Sequence, residues 1–150
     1  MISIGSNVPL FELKDQDGKI FRIADHLGKR NLVLFFYPKD LSYGCTKEAC
    51  SFRDHHEVFL ENDCDVIGIS MDNESSHREF IARHRLPYTL LSDTEKKVQQ
   101  LFGLKPQFFG LVQDRATFVI GKNGKILHAF RSLSKFEKHV SEALEILKKQ

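Results

Sequence analysis

The chain has 150 residues, of which 41% are hydrophobic and 28% are charged, a composition typical of one globular domain with a single core. Its formal net charge is +2, and the Lys and Arg residues are interleaved with Asp and Glu. A dedicated nucleic-acid binder would instead carry a basic stripe, so we expect no nucleic-acid partner.

The first residues, MISIGSNVPLFELKD, lack the basic and long apolar regions of a signal peptide, and no apolar run reaches membrane-spanning length. We therefore expect a cytoplasmic protein without a membrane partner. In a reducing compartment the odd set of three cysteines, Cys45, Cys50 and Cys64, does not indicate a structural disulfide framework. Closely spaced thiols in that setting are more often catalytic or metal-binding.

The first half of the chain is predicted to contain a hairpin, a buried strand and a long helix. The sequence DQDGK indicates a turn between short strands at Phe11–Leu13 and Lys19–Arg22. Asn31–Tyr37 is almost entirely apolar, as a central strand buried on both faces should be, and Pro38 ends it. Thr46–Glu61 is predicted to follow as a helix.

The second half alternates strands and helices before a closing hairpin and a terminal helix. The predicted elements are the strand Asp65–Ser70, the helix Glu74–His84, the strand Thr89–Leu91, the helix Thr94–Phe102, the loop Lys105–Gln113 and the helix Ser134–Lys149. The sequence RATFVIGKNGKILHAF predicts two strands joined by a turn at Asn123-Gly124.

Helices placed between buried strands imply parallel strand pairs, and the closing hairpin adds antiparallel ones. The fold class we expect is therefore α/β, with a mixed central sheet, helices on both faces and an N-terminal β-hairpin, in the general style of thioredoxin-like folds. We expect residues 1–150 to form one such domain.

The stretch YPKDLSYGCTKEACSF places Cys45 at the N-cap or first turn of the predicted helix. Backbone N–H groups without partners and the positive end of the helix dipole favour a thiolate there, so we expect a lowered pKa for Cys45. Cys50 lies about 140° further round the helix and gains no such help. Their Cα atoms would be roughly 8–9 Å apart on an ideal helix. A disulfide needs less than about 7 Å, so only a transient bond, made when the turn unwinds, is feasible.

Two other interpretations of the cysteines remain open at this point. A zinc site would use Cys45, Cys50, His55 and His56, but zinc ligands are usually paired at closer spacing and adjacent histidines on a helix diverge by about 100°. A protein dithiol–disulfide exchanger would be expected to carry a C-x-x-C motif, which is absent.

The segment FFYPKDLSYGCTKEACSFRD resembles the active-site stretch of the peroxiredoxins, and within them the bacterioferritin comigratory protein, or PrxQ, group. The family pattern P-x-x-x-T/S-x-x-C is matched by Pro38, Ser42 and Cys45. The second cysteine in CTKEAC, Cys50, is typical of the two-cysteine members, and DRATFVIGKNGKI supplies the family's strand-borne arginine as Arg115. The resemblance extends from about residue 5 to the terminal helix.

The chain departs from this pattern at three positions. Ser42 stands where threonine is commonest, Tyr43 where proline is frequent, and Gly121 where aspartate is common before the last turn. None of these changes removes a chemical group that the site needs, so the resemblance still implies activity.

The resemblance implies a thiol-dependent peroxidase for hydroperoxides. Cys45 would attack the peroxide and become a sulfenic acid, while the Ser42 hydroxyl, the Arg115 guanidinium and the Cys45 backbone N–H stabilise the developing charge. Pro38 would shield the site. Cys50 would then form a transient disulfide with Cys45, which a thioredoxin-type dithiol protein reduces.

The remaining expectations concern cofactors, assembly and neighbouring residues. We expect no metal, haem or flavin, and a monomer or weak homodimer. A peroxide-responsive redox sensor is the non-enzymatic alternative. Cys64 is interpreted as a core or surface residue, the histidines as surface or satisfied side chains, and Glu48 and Arg53 as a possible pair beside the site. Phe108 and Phe109 are expected to line a peroxide entrance, to form a dimer contact or to pack in the core.

Overall fold

The structure is a computed structural model that describes residues 1–105 and 114–150. Within those ranges the chain forms a seven-stranded sheet with apolar clusters on both faces. No helix in the described ranges is long and apolar enough to cross a bilayer. The predicted loop residues Phe108, Phe109 and Leu111 lie outside the described residues.

The sheet is mixed, as the order of predicted elements implies. Its strands are β1 (Glu12–Asp15), β2 (Ile20–Arg22), β3 (Asn31–Phe36), β4 (Cys64–Ser70), β5 (Thr89–Ser92), β6 (Ala116–Ile120) and β7 (Ile126–Arg131). Their order is β2-β1-β5-β4-β3-β6-β7, in which β4 runs parallel to both β3 and β5 and the other neighbours are antiparallel. All residues of β3 are buried, which explains its unbroken apolar sequence.

The described helices are α1 (Tyr43–Asp54), α2 (His56–Glu61), α3 (Glu74–His84), α4 (Lys97–Leu101) and α5 (Phe136–Lys148), with a 3-10 turn at Ile23–Asp25. The predicted bounds of α3 are confirmed. The helix predicted from Thr94 starts later, at Lys97, because Lys96 adopts the left-handed conformation with φ 64°.

The prediction of one helix over Thr46–Glu61 is wrong in both its start and its continuity. The helix begins at Tyr43, because Ser42 keeps an extended conformation (φ −70°, ψ 156°) and occupies the N-cap position. It stops before His55, which leaves the helical conformation while its Nδ1 donates to the Ser51 carbonyl oxygen at 2.8 Å. Two helices at an angle therefore replace the single long one.

Two apolar clusters cover the two faces of the sheet. On one face Val33 and Phe35 pack against α1, α2, α3 and α5, and the Phe35 ring stacks on that of Phe52 with centroids 4.5 Å apart. On the other face Leu34 and Phe36 pack against α4 and the N-terminal segment. Side chains alternate along β3, so this strand contributes to both cores, and the prediction of helices on both faces is confirmed.

The closing hairpin β6–β7 is also confirmed. Gly124 has φ +77°, a left-handed conformation that glycine adopts without steric cost, and the Asn123 side-chain oxygen accepts the Lys125 N–H at 3.1 Å. The hairpin positions the site, because Arg115 directly precedes β6 and β6 pairs with β3.

Candidate active site

The loop between β3 and α1 brings the predicted site residues to one end of the central strand. Pro38 lies partly buried just beyond this strand, and Ser42 is the N-cap residue of α1. Cys45 falls in the first turn of α1, as predicted, and only 1% of its surface is exposed. The thiol therefore lies at the start of a helix but is shielded from bulk water.

Arg115 contacts Cys45 directly. Its Nη2 donates to Cys45 Sγ at 3.2 Å, and its Nη1 donates to Glu48 Oε1 at 2.7 Å. Its Nε donates to the Leu133 carbonyl oxygen at 3.1 Å. Each guanidinium nitrogen thus has a defined acceptor, and the cation is held in one orientation against the sulfur.

Phe136 of α5 covers the guanidinium. The Arg115 Cζ atom lies 4.9 Å from the centroid of the Phe136 ring, which is a cation–π contact. A Cβ atom placed on Gly44 would lie 2.5 Å from carbons of that ring and 3.3 Å from Arg115 Nη2. The residue before Cys45 must therefore be glycine, because the ring and the guanidinium leave no space for a side chain.

Burial raises the pKa of the Cys45 thiol above its ordinary value. Arg115, the Ser42 hydroxyl and the Lys39 backbone N–H each lower this pKa, but they do not offset the burial. The expectation of a lowered pKa is therefore wrong for this closed, reduced site. The helix terminus and the cation do favour the thiolate, but a sulfur without hydrating water loses more than they supply.

Ser42 lies between two acceptors. Its hydroxyl donates to the Lys39 carbonyl oxygen at 2.9 Å, and the same hydroxyl is one of the groups that lower the pKa of Cys45. A hydroxyl carries a single proton, so it can donate to only one of these acceptors at a time. Rotation about one bond would transfer the donor from the carbonyl to the sulfur.

Glu48 is a site residue that the sequence analysis did not identify. It is fully buried and pairs with Arg115, whereas Arg53 pairs with Asp54, so the suggested Glu48–Arg53 pair is wrong. The available signal was spacing: Glu48 follows Cys45 by three residues, and side chains three apart on a helix share one face.

His139 of α5 closes the buried network behind Glu48. Its Nε2 lies 2.8 Å from the Ser132 carbonyl oxygen and must donate, so Nδ1 carries a lone pair that accepts the Thr117 hydroxyl at 2.8 Å. The same Nδ1 lies 3.5 Å from Glu48 Oε2. Burial lowers the pKa of His139 to about 4 and raises the pKa of Glu48 to about 7. Both groups are therefore biased toward their neutral forms.

Cys50 is half-buried and lies in the same helix as Cys45. It borders a groove between α1 and α5, to which Lys47, His55 and Val140 also contribute. Burial raises the pKa of Cys50. Both thiols are free, which agrees with the roughly 8–9 Å between their Cα atoms that an intact helix imposes.

Cys64 lies away from this site. It pairs with Asn31 at the start of β3, whereas the loop to Cys45 leaves the other end of that strand. It is fully buried, its thiol donates to the Asp65 carbonyl oxygen at 3.3 Å, and burial raises its pKa to about 12. Of the two readings given above, the core residue is the one observed.

The side chains considered for zinc are not assembled into a site. Cys45 faces the Arg115 cation, whereas Cys50 and His55 border the groove between α1 and α5. Across residues 1–105 and 114–150, no group of three or more His, Cys, Asp or Glu side chains is arranged to hold a metal ion.

Comparison with known proteins gives a consistent result over nearly the whole chain. Residues 4–129 match the model of the AhpC/TSA family. The chain is 44% identical over 146 residues to a chloroplastic peroxiredoxin Q of Gentiana triflora, covering 97% of this chain and 67% of the relative. It is 43% identical over 154 residues to peroxiredoxin Bcp of Bacillus subtilis (strain 168), covering 98% and 96%.

A solved structure agrees. The crystal structure of the peroxidoxin BcpB from Mycobacterium tuberculosis superposes with a TM-score of 0.93 at 37% identity, covering 99% of this chain and 98% of that one. The predicted thioredoxin-like fold is thereby confirmed. With a buried cysteine held against an arginine at a helix start, and with these similarities in sequence and structure, the chain belongs to the peroxiredoxins of the AhpC/TSA family, in the PrxQ/Bcp group.

Proposed function

We propose that Cys45 is the nucleophile through which this thiol-dependent peroxidase reduces hydroperoxides. The observation that carries the proposal is the 3.2 Å hydrogen bond from Arg115 Nη2 to Cys45 Sγ, in a site where only 1% of the cysteine surface is exposed. A permanent cation held against a buried sulfur favours the thiolate over other outcomes of deprotonation and can follow charge onto a bound peroxide.

In the proposed reaction the Cys45 sulfur attacks the terminal oxygen of the peroxide and the O–O bond breaks. The sulfur is oxidised to a sulfenic acid, the peroxide is reduced, and the proton lost by the thiol ends on the leaving alkoxide or hydroxide. Arg115, Ser42 and the Cys45 backbone N–H are the proposed donors to the two oxygens. The Lys39 N–H, which already lowers the pKa of Cys45, is a further donor.

The rim of the site suits organic as well as inorganic hydroperoxides. Tyr43 and Leu133 expose 74% and 37% of their surface beside the cysteine loop and the Arg115 acceptor, and Phe136 stacks on the guanidinium. These side chains provide apolar surface for an alkyl group. We assign Pro38, partly buried at the end of the central strand, the role of excluding water from the sulfur.

Cys50 is the proposed resolving residue. Its thiol condenses with the Cys45 sulfenic acid, which releases water and forms a disulfide. This step requires the first turns of α1 to unwind, because the two Cα atoms of an intact helix are farther apart than the about 7 Å that a disulfide allows. The intramolecular bond needs no second chain, which favours a monomer or weak homodimer.

The proposed reductant is a thioredoxin-type dithiol protein in a reducing compartment such as the cytoplasm. All three cysteines are free, as such a compartment maintains. The plant relative named above is chloroplastic, whereas the Bacillus relative is bacterial, so we base the compartment on thiol chemistry rather than on the relatives.

The experiment that tests the function measures consumption of hydrogen peroxide and of an organic hydroperoxide, coupled to thioredoxin and thioredoxin reductase. We expect sustained turnover with both peroxides. Rapid oxidation of Cys45 without turnover on any dithiol reductant would indicate a redox sensor. Reduction of insulin disulfides without any need for peroxide would indicate a dithiol–disulfide exchanger.

A further inference from the structure

A buried carboxylate, Asp40, lies in the loop that leads to Cys45 and collects donors from several elements. The Tyr37 hydroxyl donates to its Oδ1 at 2.5 Å, and the Ser76 hydroxyl donates to its Oδ2 at 2.8 Å. His77 Nδ1 lies 2.7 Å from the same Oδ2. Asp40 is 5% exposed and His77 is 0% exposed, so these contacts are isolated from water.

The partners of His77 fix how its protons are placed. Its Nε2 lies 3.0 Å from the Leu91 carbonyl oxygen, which can only accept, so Nε2 carries a proton. A further proton must lie between Nδ1 and the Asp40 carboxylate, which are both otherwise acceptors. The two residues together carry no net charge, and a buried pair satisfied in this way resists being pulled apart.

The backbone of Asp40 is tied down as well. Its N–H donates to Asp72 Oδ2 at 2.8 Å, and that oxygen also accepts the Ser70 hydroxyl at 2.7 Å. Ser70 is the last residue of β4, while His77 belongs to α3 and bonds the backbone of β5. The side chain and the backbone of one loop residue are therefore both fixed to the end of the central sheet.

The residues on either side of Asp40 contact the thiol. The Lys39 N–H is one of the donors that lower the pKa of Cys45, and the Ser42 hydroxyl donates to the Lys39 carbonyl oxygen. Between them Leu41 has φ 63°, a left-handed conformation that a residue with a branched side chain keeps only where its surroundings enforce it. The contacts of Asp40 supply that enforcement.

We propose that Asp40 and His77 are positioning residues that hold the Pro38–Ser42 loop against Cys45 and form the fixed end of the segment that unwinds when Cys45 bonds to Cys50. The proposal rests on the function proposed above. In it the loop stays anchored through the redox cycle, so that the donors in the loop meet the sulfur again as soon as the disulfide is reduced.

The test compares His77→Leu, which removes both bonds of the ring, with His77→Asn, whose amide can still donate to Asp40. The first readout is the second-order rate of Cys45 oxidation by peroxide in a single turnover. The second is the pH midpoint of Cys45 alkylation, which involves no peroxide. We expect His77→Leu to lower the rate by at least about tenfold and to move the midpoint upward, because a misplaced donor no longer stabilises the thiolate. We expect His77→Asn to recover most of both.

Asp93→Asn is the matched control. Asp93 is a buried aspartate whose carboxylate accepts the backbone N–H groups of Val98 and Gln99 at 3.1 and 2.9 Å, outside the cysteine loop. At a comparable loss of stability in urea it should keep the oxidation rate and the alkylation midpoint of the parent. A folded His77→Leu protein with parental values, or equal losses in the control, would overturn the proposal.

Two milder variants keep the test decisive if His77→Leu does not fold. Tyr37→Phe and Ser76→Ala each remove one donor to Asp40, and the double variant should slow Cys45 oxidation more than either alone. Parental rates in the double variant would overturn the proposal. A parent protein that does not react with peroxide would instead contradict the proposed function, while the alkylation midpoints would still report on the loop.

Discussion

The Arg115 guanidinium joins Cys45 Sγ at 3.2 Å and Glu48 Oε1 at 2.7 Å, although 70 positions of sequence separate the arginine from the cysteine. The cation therefore lies between a thiol and a carboxyl group on one face of α1. Whichever of these two groups is ionised competes for the same positive charge. The reactivity of the cysteine and the protonation of the carboxyl group are consequently coupled through one side chain.

Replacing Cys45 with serine should abolish peroxide reduction, because a hydroxyl is barely ionised at neutral pH and is a poor nucleophile toward oxygen. Cys64→Ser is the matched control, since that thiol is buried at the other end of β3 and donates only to a neighbouring carbonyl oxygen in the contacts described above. It should keep turnover within a few-fold of the parent. The measurement is coupled peroxide consumption, and similar losses in both variants would contradict the assignment of Cys45.

Replacing Cys50 with serine should separate the two half-reactions. One equivalent of peroxide should still be consumed quickly, because the attack by Cys45 does not use Cys50. Turnover with thioredoxin should fall sharply, and the sulfenic acid on Cys45 should persist and become over-oxidised by excess peroxide. Mass mapping of the oxidised parent checks the pairing. A disulfide from Cys45 to Cys64 or to a second chain would exclude Cys50 as the resolving residue.

Replacing Arg115 with methionine should slow formation of the sulfenic acid by about two to three powers of ten, the usual effect of losing one charged donor. The parent rate should rise with pH above neutrality, since burial raises the pKa of Cys45, and the loss of Arg115 should move this rise to still higher pH. Stopped-flow oxidation across pH 6 to 10 measures both effects.

Arg131→Met is the control for that experiment. Arg131 pairs with Asp114 and is half-exposed, so its loss should leave the rate and its pH dependence close to those of the parent. If Arg131→Met reproduced the defect of Arg115→Met, the direct contact with Cys45 would not be the cause. A parent rate that is already constant below pH 7 would show that the thiolate is formed at neutral pH.

Oxidation of the parent should expose the first turns of α1 to amide exchange. Residues 43–50 must unwind for the disulfide to form, whereas the end of the helix is held by the Arg53 Nη1 bond to the His84 carbonyl oxygen at 2.7 Å. The strand Asn31–Phe36 should stay protected. Hydrogen–deuterium exchange of the reduced and oxidised parent, with Cys50→Ser treated with one equivalent of peroxide as control, measures this. Unchanged exchange in a protein with a mapped Cys45–Cys50 disulfide would refute the unwinding.

The buried pair of Glu48 and His139 should impose opposing pH dependences on stability. The pKa of Glu48 is raised from its ordinary 4.5 to about 7, so its contribution is full below pH 4.5 and is lost as the pH rises toward 7. The pKa of His139 is lowered from 6.5 to about 4, so its contribution is full above pH 6.5 and is lost as the pH falls toward 4. Between pH 5 and 6.5 the two should largely cancel.

Glu48→Gln should uncover the histidine alone, so that the free energy of unfolding rises with pH between 4.5 and 6.5 by up to about 1.4 kcal/mol per pH unit. Urea unfolding at several pH values measures this slope. Glu142→Gln is the control, because Glu142 contacts His128 at 2.7 Å in a partly exposed pair. It should keep the parental profile, and a parental profile in Glu48→Gln would contradict the raised pKa of that residue.

The sequence by itself determined the local features of this protein. The apolar run at Asn31–Phe36, the turn at Asn123-Gly124 and the helix carrying Cys45 and Cys50 follow from periodicity and turn chemistry, which act over a few residues. The family motif identified Cys45, Ser42 and Arg115 without any structure, although the bounds of the helix shifted because an extended N-cap residue is a property of backbone conformation.

Only the tertiary structure decided which distant groups meet and what burial does to them. The pairing of β6 with β3 aligns Arg115 with Cys45, and the packing of α5 on α1 brings His139 to Glu48. The direction of the Cys45 pKa shift also reversed relative to expectation, because it depends on the balance between lost hydration and several neighbours from separate elements. Local spacing specifies which groups share a helix face, whereas solvation and long-range contacts exist only once the sheet and helices have closed around the thiol.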